Sequence, residues 1–271
     1  MKLDLSREDQ DRLAGREGKA MALAMALVVR AADILGASRL IPISFAHIDA
    51  CFYTGQSHLD FVRFLLDHGA RLAVPTWTNN GVVSLADPEL RPERTDAEFL
   101  GGARELMELY GRLGCTPTWT CAPYQLASGP RFGDHIAVGE SNAVAYYNSV
   151  VGARTNKYGD YLDVACALIG KVPEAGLHTD RGRRADLHVD CRGLPELWRR
   201  QDIFHHLIGH HVGRLSGRRI PVISGLLPHK DKDGLKAISS AAAAAGGPIL
   251  VSISLEVDAL DPLAVLESIF E

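Results

Sequence analysis

Segments with helical spacing alternate along this chain with short aliphatic runs, and glycine closes most of them. That alternation constrains the fold more than any other feature. From Glu17 to Leu35 the apolar residues Met21, Ala24, Met25, Val28, Ala31, Ala32 and Leu35 recur at helical intervals, and Gly36 supplies the stop. Residues 39–45 read as a short buried strand in which Pro42, with no N–H to give a ladder, marks an edge or a bend. A helix over 57–68 ending at Gly69, a strand over 70–74, a polar loop over 75–93 and a helix over 95–113 closed by Gly114 follow. Further helices are expected at 141–151, 158–169, 200–215 and 232–245, with strands near 186–190, 219–224 and 248–254. The alanine tract before Gly246 and Gly247 reads as the end of a glycine-capped helix. Such alternation predicts an α/β fold, layered α/β/α around a mainly parallel sheet. With no repeat and no long linker in its 271 residues, the chain reads as one compact unit.

Composition removes several classes of function. Hydrophobic residues at 46% and charged residues at 23% are ordinary globular values, which excludes disorder, collagen and coiled coil. A net charge of −4 argues against a general nucleic-acid binder, which needs a clustered basic excess against phosphate. The basic run Arg181-Gly182-Arg183-Arg184 reads as a solvated loop. The apolar run from Ala20 to Val29 is too short to span a bilayer, and the mixed charges before it lack the basic bias of a signal peptide. Five cysteines at irregular spacing suit reduced thiols, so a cytoplasmic protein is expected, away from membranes.

Within this frame one block departs from periodic aliphatic patterning. Residues 116–125 (T-P-T-W-T-C-A-P-Y-Q) and 139–160 (G-E-S-N-A-V-A-Y-Y-N-S-V-V-G-A-R-T-N-K-Y-G-D) pack a thiol, a carboxylate, amides, hydroxyls and a guanidinium among glycines. In α/β folds polar groups converge where strands end, so three places compete as sites. The first is A-H-I-D at 46–49, where His47 and Asp49 form either a proton-handling pair or a hydrogen-bonded cap. The second is V-P-T-W-T-N-N-G at 74–81, where Thr76, Thr78, Asn79 and Asn80 serve a polar ligand or only a turn. The third is the block itself. Cys121 sits in a proline-fixed loop with no nearby cysteine in chelating geometry; Cys51, Cys115, Cys166 and Cys191 read as packing thiols or bystanders. Glu140 and Ser141 precede a helix whose first-turn N–H groups suit a carboxylate, and Arg154 can grip one at two points, with Asn156 and Tyr158 alongside. The plain alternative is an N-cap with polar surface. His205, His206, His210 and His211 fall at spacings by which two imidazoles can share a metal, but no glutamate follows in the H-E-x-x-H manner, and they read as helix-surface histidines.

The ordered set E-G-K-A at 17–20, A-H-I-D at 46–49, A-V-P-T at 73–76, T-W-T-C-A-P-Y-Q at 118–125, G-E-S-N-A-V at 139–144 and N-S-V-V-G-A-R-T-N-K-Y-G-D at 148–160 resembles the large subunit or domain of aconitase X. The resemblance runs from about Glu17 to the region of Pro248. It implies an aconitase-like fold and a hydro-lyase that removes water from a small hydroxy acid, the family's activities including cis-3-hydroxy-L-proline and mevalonate 5-phosphate dehydration. It also implies an iron or iron–sulfur centre held by cysteines, with Cys121 at the family's cysteine ligand. Arg154 and the helix start at Ser141 would bind the carboxylate, and His47 and Asp49 would handle protons near the leaving hydroxyl. Thr76, Asn79, Tyr124, Glu140, Asn142, Asn148 and Asn156 would complete the pocket. The family's other cysteine ligands lie in a C-terminal portion, and its small swivelling domain is fused or separate; nothing in this sequence corresponds to either, so 1–271 reads as a C-terminally incomplete large-subunit region. The block is poor in Lys and Arg, which favours an unphosphorylated acid such as cis-3-hydroxy-L-proline. Two other readings stay open: a non-catalytic remnant that binds a small carboxylate or a protein, and, last, a histidine-metal hydrolase built on 205–211.

Overall fold

A computed structural model describes residues 3–50, 53–80, 83, 87, 97–226, 232–247 and 250–254. Helix α1 (Arg7–Leu13) begins at Ser6, whose hydroxyl accepts from the Asp9 N–H at 3.2 Å while the Asp9 carboxylate accepts from the Ser6 N–H, a reciprocal cap. Helix α2 (Lys19–Leu35) buries Ala20, Ala24, Met25, Val28 and Ala32 along one stripe and stops at Gly36 with φ 68°. Strands β1 (Leu40–Pro42) and β2 (Phe45–Ile48) replace the single strand expected at 39–45. The cause is Pro42: the chain turns after it, and the Ile43 N–H bonds to the Gly170 carbonyl instead of continuing a ladder.

Helix α3 (Gln56–Asp67) ends beside Gly69 as expected, but no strand follows at 70–74. The Ala70 N–H returns to the Leu65 carbonyl and that of Ala73 bonds Ala167, so this segment is consumed by helix neighbours. Strand β3 (Thr76–Thr78) forms only after Pro75, followed by α4 (Ala97–Leu113) and β4 (Thr116–Pro117). The loop expected over 75–93 lies partly in β3 and otherwise mostly outside the described residues, as does the start of the helix expected at 95. Strand β5 (Ile136–Val138), buried throughout, was not expected. Next come α5 (Ser141–Tyr146), a π-helical turn (Tyr147–Val151), α6 (Leu162–Ile169), β6 (Lys171–Pro173), α7 (Asp180–Arg183), β7 (Leu187–Asp190), α8 (Glu196–Arg199), α9 (Asp202–Ser216), β8 (Pro221–Ser224), α10 (Lys232–Ala244) and β9 (Ser252–Ser254). The helix expected over 158–169 starts only at Leu162, because Tyr161 is left-handed at φ 71°.

The chain divides into two compact units, where the sequence suggested one. The first comprises Met1–Leu126, His135–Glu140 and Tyr158–Ala175. Its main sheet is wholly parallel, in the order β4-β3-β2-β5, and β1 pairs antiparallel with β6. Ala46 aligns with Thr76 on one side and Ala137 on the other, so β2 is the central, fully buried strand. Helices α2, α3, α4 and α6 supply this unit's core, among them Met25, Val62, Leu106 and Leu168. The second unit comprises Ala127–Asp134, Ser141–Lys157 and the described residues from Gly176 onward. It carries the parallel sheet β7-β8-β9, close to the strands expected at 186–190, 219–224 and 248–254, and packs α9 against α10. Both main sheets being parallel, the expected α/β class with mainly parallel sheet is the observed one.

Candidate functional site

Four parallel strands of the first unit end on one edge, and the chain continues from each into a chemistry-bearing loop. From β2 come His47 and Asp49, from β3 Asn79, from β4 Cys121 and Tyr124, and from β5 Gly139 and Glu140, whereas Thr76 lies at the opposite, starting end of β3. Asn79 joins two of these loops: its Nδ2 donates to Glu140 Oε2 at 2.7 Å and lies 3.2 Å from Cys121 Sγ. Its own N–H is held by the Ile48 carbonyl. The Asp49 carboxyl is near enough to raise that of Glu140. Thr76 is turned inward, its Oγ1 donating to the Val74 carbonyl at 2.9 Å, and Tyr124 sits on the short turn Pro123–Gln125 after Cys121.

Burial sets the electrostatics of this edge. Desolvation pushes Glu140 up to about 7; the Asn79 amide opposes the rise, and the neighbouring Asp49 charge adds to it. His47 is wholly buried, and burial drives its imidazole down to about 4, with Asp49 only partly compensating. Neither ring nitrogen of His47 has a hydrogen-bond partner, nor has Asp49 Oδ1. Buried polar atoms without partners are costly, so this edge holds acceptors and donors that the fold itself leaves unused.

Two carboxylates outside the expected set belong here. Asp163, on α6, is fully buried and pushed up to about 8 by desolvation; its oxygens accept from the Val164 N–H at 2.7 Å and the Asp49 N–H at 3.3 Å. Asp160 is raised by burial and by Asp49. The signal for Asp163 was a carboxylate inside the apolar run L-D-V-A-C-A-L-I. Gly139 permits the approach: a Cβ there would lie 2.7 Å from Asp163 Oδ2 and 3.2 Å from Asp49 Cβ. Strain collects at the same place, since the only non-glycine residues with positive φ among those described are Ala50, Trp119 and Tyr161. They neighbour Asp49, Cys121 and Asp160 respectively, and strained backbone concentrates at functional sites.

An iron centre needs several thiolate or imidazole donors brought together. Cys121 is exposed beside Asn79 and Glu140, whereas Cys115, Cys166 and Cys191 are buried, and burial pushes their thiols up. Cys51 lies outside the described residues. Among the described residues no group of three or more His, Cys, Asp or Glu is arranged to hold a metal. They offer one thiol, not a complete centre.

The remaining expected residues lie in the second unit. Ser141 and Asn142 open α5 and line a cavity of about 400 Å³ with Lys157, Ser240, Gly246 and Gly247. Arg154 Nη1 pairs with Asp180 Oδ1 at 2.6 Å and points to the His178 carbonyl at 3.4 Å. Asn148 is fully buried; its Nδ2 donates to the Val144 and Thr155 carbonyls, and its Oδ1 accepts from the Thr155 N–H and from Arg183. Asn156 Oδ1 accepts from the Leu177 N–H at 2.9 Å. The solvated loop expected at 181–184 is corrected: Asp180–Arg183 form α7 and Arg183 is 2% exposed. Its charge is taken up by oxygens of Asn148 and Ala153, which composition alone does not reveal. On α9, His206, His210 and His211 are exposed and His205 is partly buried. No helix among the described residues is long and apolar enough to cross a membrane.

Comparison with known proteins shows what the chain is similar to. Residues 2–181 match the family described as Aconitase X first domain, and residues 185–255 match Aconitase X second domain. The chain is 43% identical over 234 residues to a cis-3-hydroxy-L-proline dehydratase of Pseudomonas aeruginosa, covering 86% of this chain and 40% of that protein. It is 36% identical over 254 residues to the phosphomevalonate dehydratase large subunit of Thermococcus kodakarensis, covering 93% and 62% respectively. The crystal structure of Thermococcus kodakaraensis aconitase X in its holo-form superposes with a TM-score of 0.80 at 35% identity, over 93% of this chain and 61% of that one. The chain thus spans roughly two-fifths to three-fifths of the length of these relatives. With both of its segments matched and its fold shared, the chain belongs to the aconitase X family.

Proposed function

We propose that this chain is the large-subunit region of a hydro-lyase that removes water from a small hydroxy acid, with cis-3-hydroxy-L-proline as substrate. The observation that carries the reading is the Asp49–Glu140 carboxyl pair at the carboxyl edge of a parallel sheet, with Glu140 raised to about 7. Asp49 takes the proton from the carbon next to the substrate carboxylate; Glu140, raised by burial, gives its proton to the departing hydroxyl. A carbon–carbon double bond forms, the carbon–oxygen bond breaks and water leaves. Transfer of the proton from Asp49 to the neighbouring Glu140 restores the starting state. His47, neutral because it is buried, leaves both ring nitrogens open beside Asp49, and Asn79 and Tyr124 complete the polar wall.

In the same reading Arg154 supplies the counter-charge for the substrate carboxylate, assisted by Ser141, Asn142 and Asn156, while Asn148 shapes the turn that carries Arg154. Cys121 serves as one ligand of an iron or iron–sulfur centre, which as a Lewis acid would ease departure of the hydroxyl. Its remaining ligands come from sequence outside the described residues. The named large subunits of the relatives support a small partner subunit, and five cysteines at irregular spacing suit a cytoplasmic setting. The preference for an unphosphorylated acid rests on the higher identity to the hydroxyproline enzymes.

The test is anaerobic purification with and without the small subunit, followed by iron analysis and assay of cis-3-hydroxy-L-proline dehydration. Bound iron that falls on Cys121→Ser, together with turnover, supports the reading. Carboxylate binding without iron or turnover replaces it with a non-catalytic family member.

A further inference from the structure

The buried guanidinium of Arg183 has no part in the reading above, and its surroundings give it one. Nη1 donates to Asn148 Oδ1 at 2.9 Å and to the Ala153 carbonyl at 3.3 Å, and Nη2 donates to the Asn148 carbonyl at 3.0 Å. All three acceptors are neutral. Two of them belong to the π-helical turn and the third to the residue immediately before Arg154, so one planar cation fixes both ends of the loop that presents Arg154. Asn148 continues the clamp by bonding the Thr155 N–H and carbonyl, on the other side of Arg154.

The helix bearing Arg183 also bears Asp180, which is 69% exposed at its side chain and holds the Arg154 guanidinium at 2.6 Å. Arg154, at 16%, is the buried partner. Arg154 alone pairs with this carboxylate while both charges are near enough to act on Arg183, and the carboxylate is the more exposed member of the pair. The local excess of one positive charge suits an incoming anion. Packing leaves little freedom: a Cβ at Gly182 would fall 1.9 Å from the Gly176 carbonyl oxygen, so the turn carrying both charges accepts glycine alone there. Widened helical turns of the 147–151 kind recur at functional sites, where they re-aim the residues that follow.

We propose that Arg183 is a positioning residue that sets the orientation of Arg154 through Asn148 and the Ala153 carbonyl, with Asp180 as the counter-ion that a substrate carboxylate displaces; the substrate part rests on the reading of Arg154 above. Neutral acceptors in place of a carboxylate are what this role requires. A direct acidic partner would cancel the charge that keeps Asp180 exchangeable.

The full chain is prepared as wild type, Arg183→Lys, Arg183→Met and Arg154→Lys, and each is compared by thermal unfolding, by ¹⁵N NMR of the Arg154 guanidinium and by calorimetric titration with cis-3-hydroxy-L-proline. In folded Arg183→Lys the Arg154 resonance is expected to shift and broaden, and affinity to fall about tenfold, as loss of a two-point contact does. Combining Arg183→Met with Arg154→Lys is expected to weaken binding no further than Arg154→Lys alone. A purely structural role would lower the unfolding midpoint and leave the Arg154 resonance of the folded fraction at its wild-type position, which overturns the proposal. If wild type binds no hydroxyproline, the functional reading fails, while the Arg154 resonance still decides the role of Arg183.

Discussion

The carboxyl edge of the first unit and the arginine turn of the second both bury polar side chains, yet they treat hydrogen bonds in opposite ways. In the turn, Asn148 uses both donors and both lone pairs of its amide, and Arg183 gives three hydrogen bonds to oxygen. At the edge, both His47 ring nitrogens and Asp49 Oδ1 have no partner, and Glu140 is raised towards neutrality. A group that must hold a shape does so by saturating its bonds. A group that must exchange protons with a ligand has to keep some of them open, at a cost in stability. Removing a polar side chain should therefore harm activity at the edge and stability at the turn.

The largest expected effect is at the edge. Glu140→Gln keeps shape and the Asn79 contact but cannot release a proton, and should reduce dehydration by about 10³-fold while the unfolding midpoint stays level or rises. A fall in stability with activity retained would break the contrast. Next is Asn148→Ala in the turn, which strips four hydrogen bonds and leaves Arg183 short of an acceptor. Chemical denaturation should show a loss of about 3 kcal/mol. Gly139→Ala drives a methyl into Asp163 and Asp49, and should lower stability by about 2 kcal/mol with an equal or larger loss of activity.

The smallest effects are in the pH dependence of stability. Asp163 is raised to about 8 in the fold, so the unfolded chain releases this proton first as pH rises. Its contribution is present in acid and is lost progressively from the ordinary carboxylate range up to about pH 8. Asp163→Asn should flatten the stability curve on that side, and an unchanged curve would refute burial as the cause. His47 acts in the opposite sense: depressed to about 4, it favours folding above its ordinary value near 6.5, and that contribution is lost as pH falls towards 4. His47→Gln should remove the slope between those values.

Much of the edge was legible in the sequence because strand ends in α/β folds are where unpaired polar residues belong. Asp49, Asn79, Cys121 and Glu140 lie in loops of the polar segments singled out, with His47 near the end of β2, and Asn79, Cys121 and Glu140 meet on one edge. The misses share a cause. Residues 70–74 have the composition of a strand but are claimed by contacts to α3 and α6, and β5 is too short for its pattern to register. Asp163 was hidden by its apolar helix, and Arg183 by a basic run that resembles solvated loop, because burial depends on residues distant in sequence.

The sequence by itself determined the α/β class, the helix stops at glycine, the order of the polar motifs and the family. These are local properties of spacing and residue type, and they survive without knowledge of what packs where. Only the tertiary structure decided that the polar block is split after Glu140 between two compact units, that burial raises its Glu140 carboxyl, and that Arg183 faces inward. The reason is desolvation. Whether a charged or polar group is open for chemistry or committed to the scaffold depends on the water removed and the partners supplied by distant segments, which one-dimensional pattern does not encode.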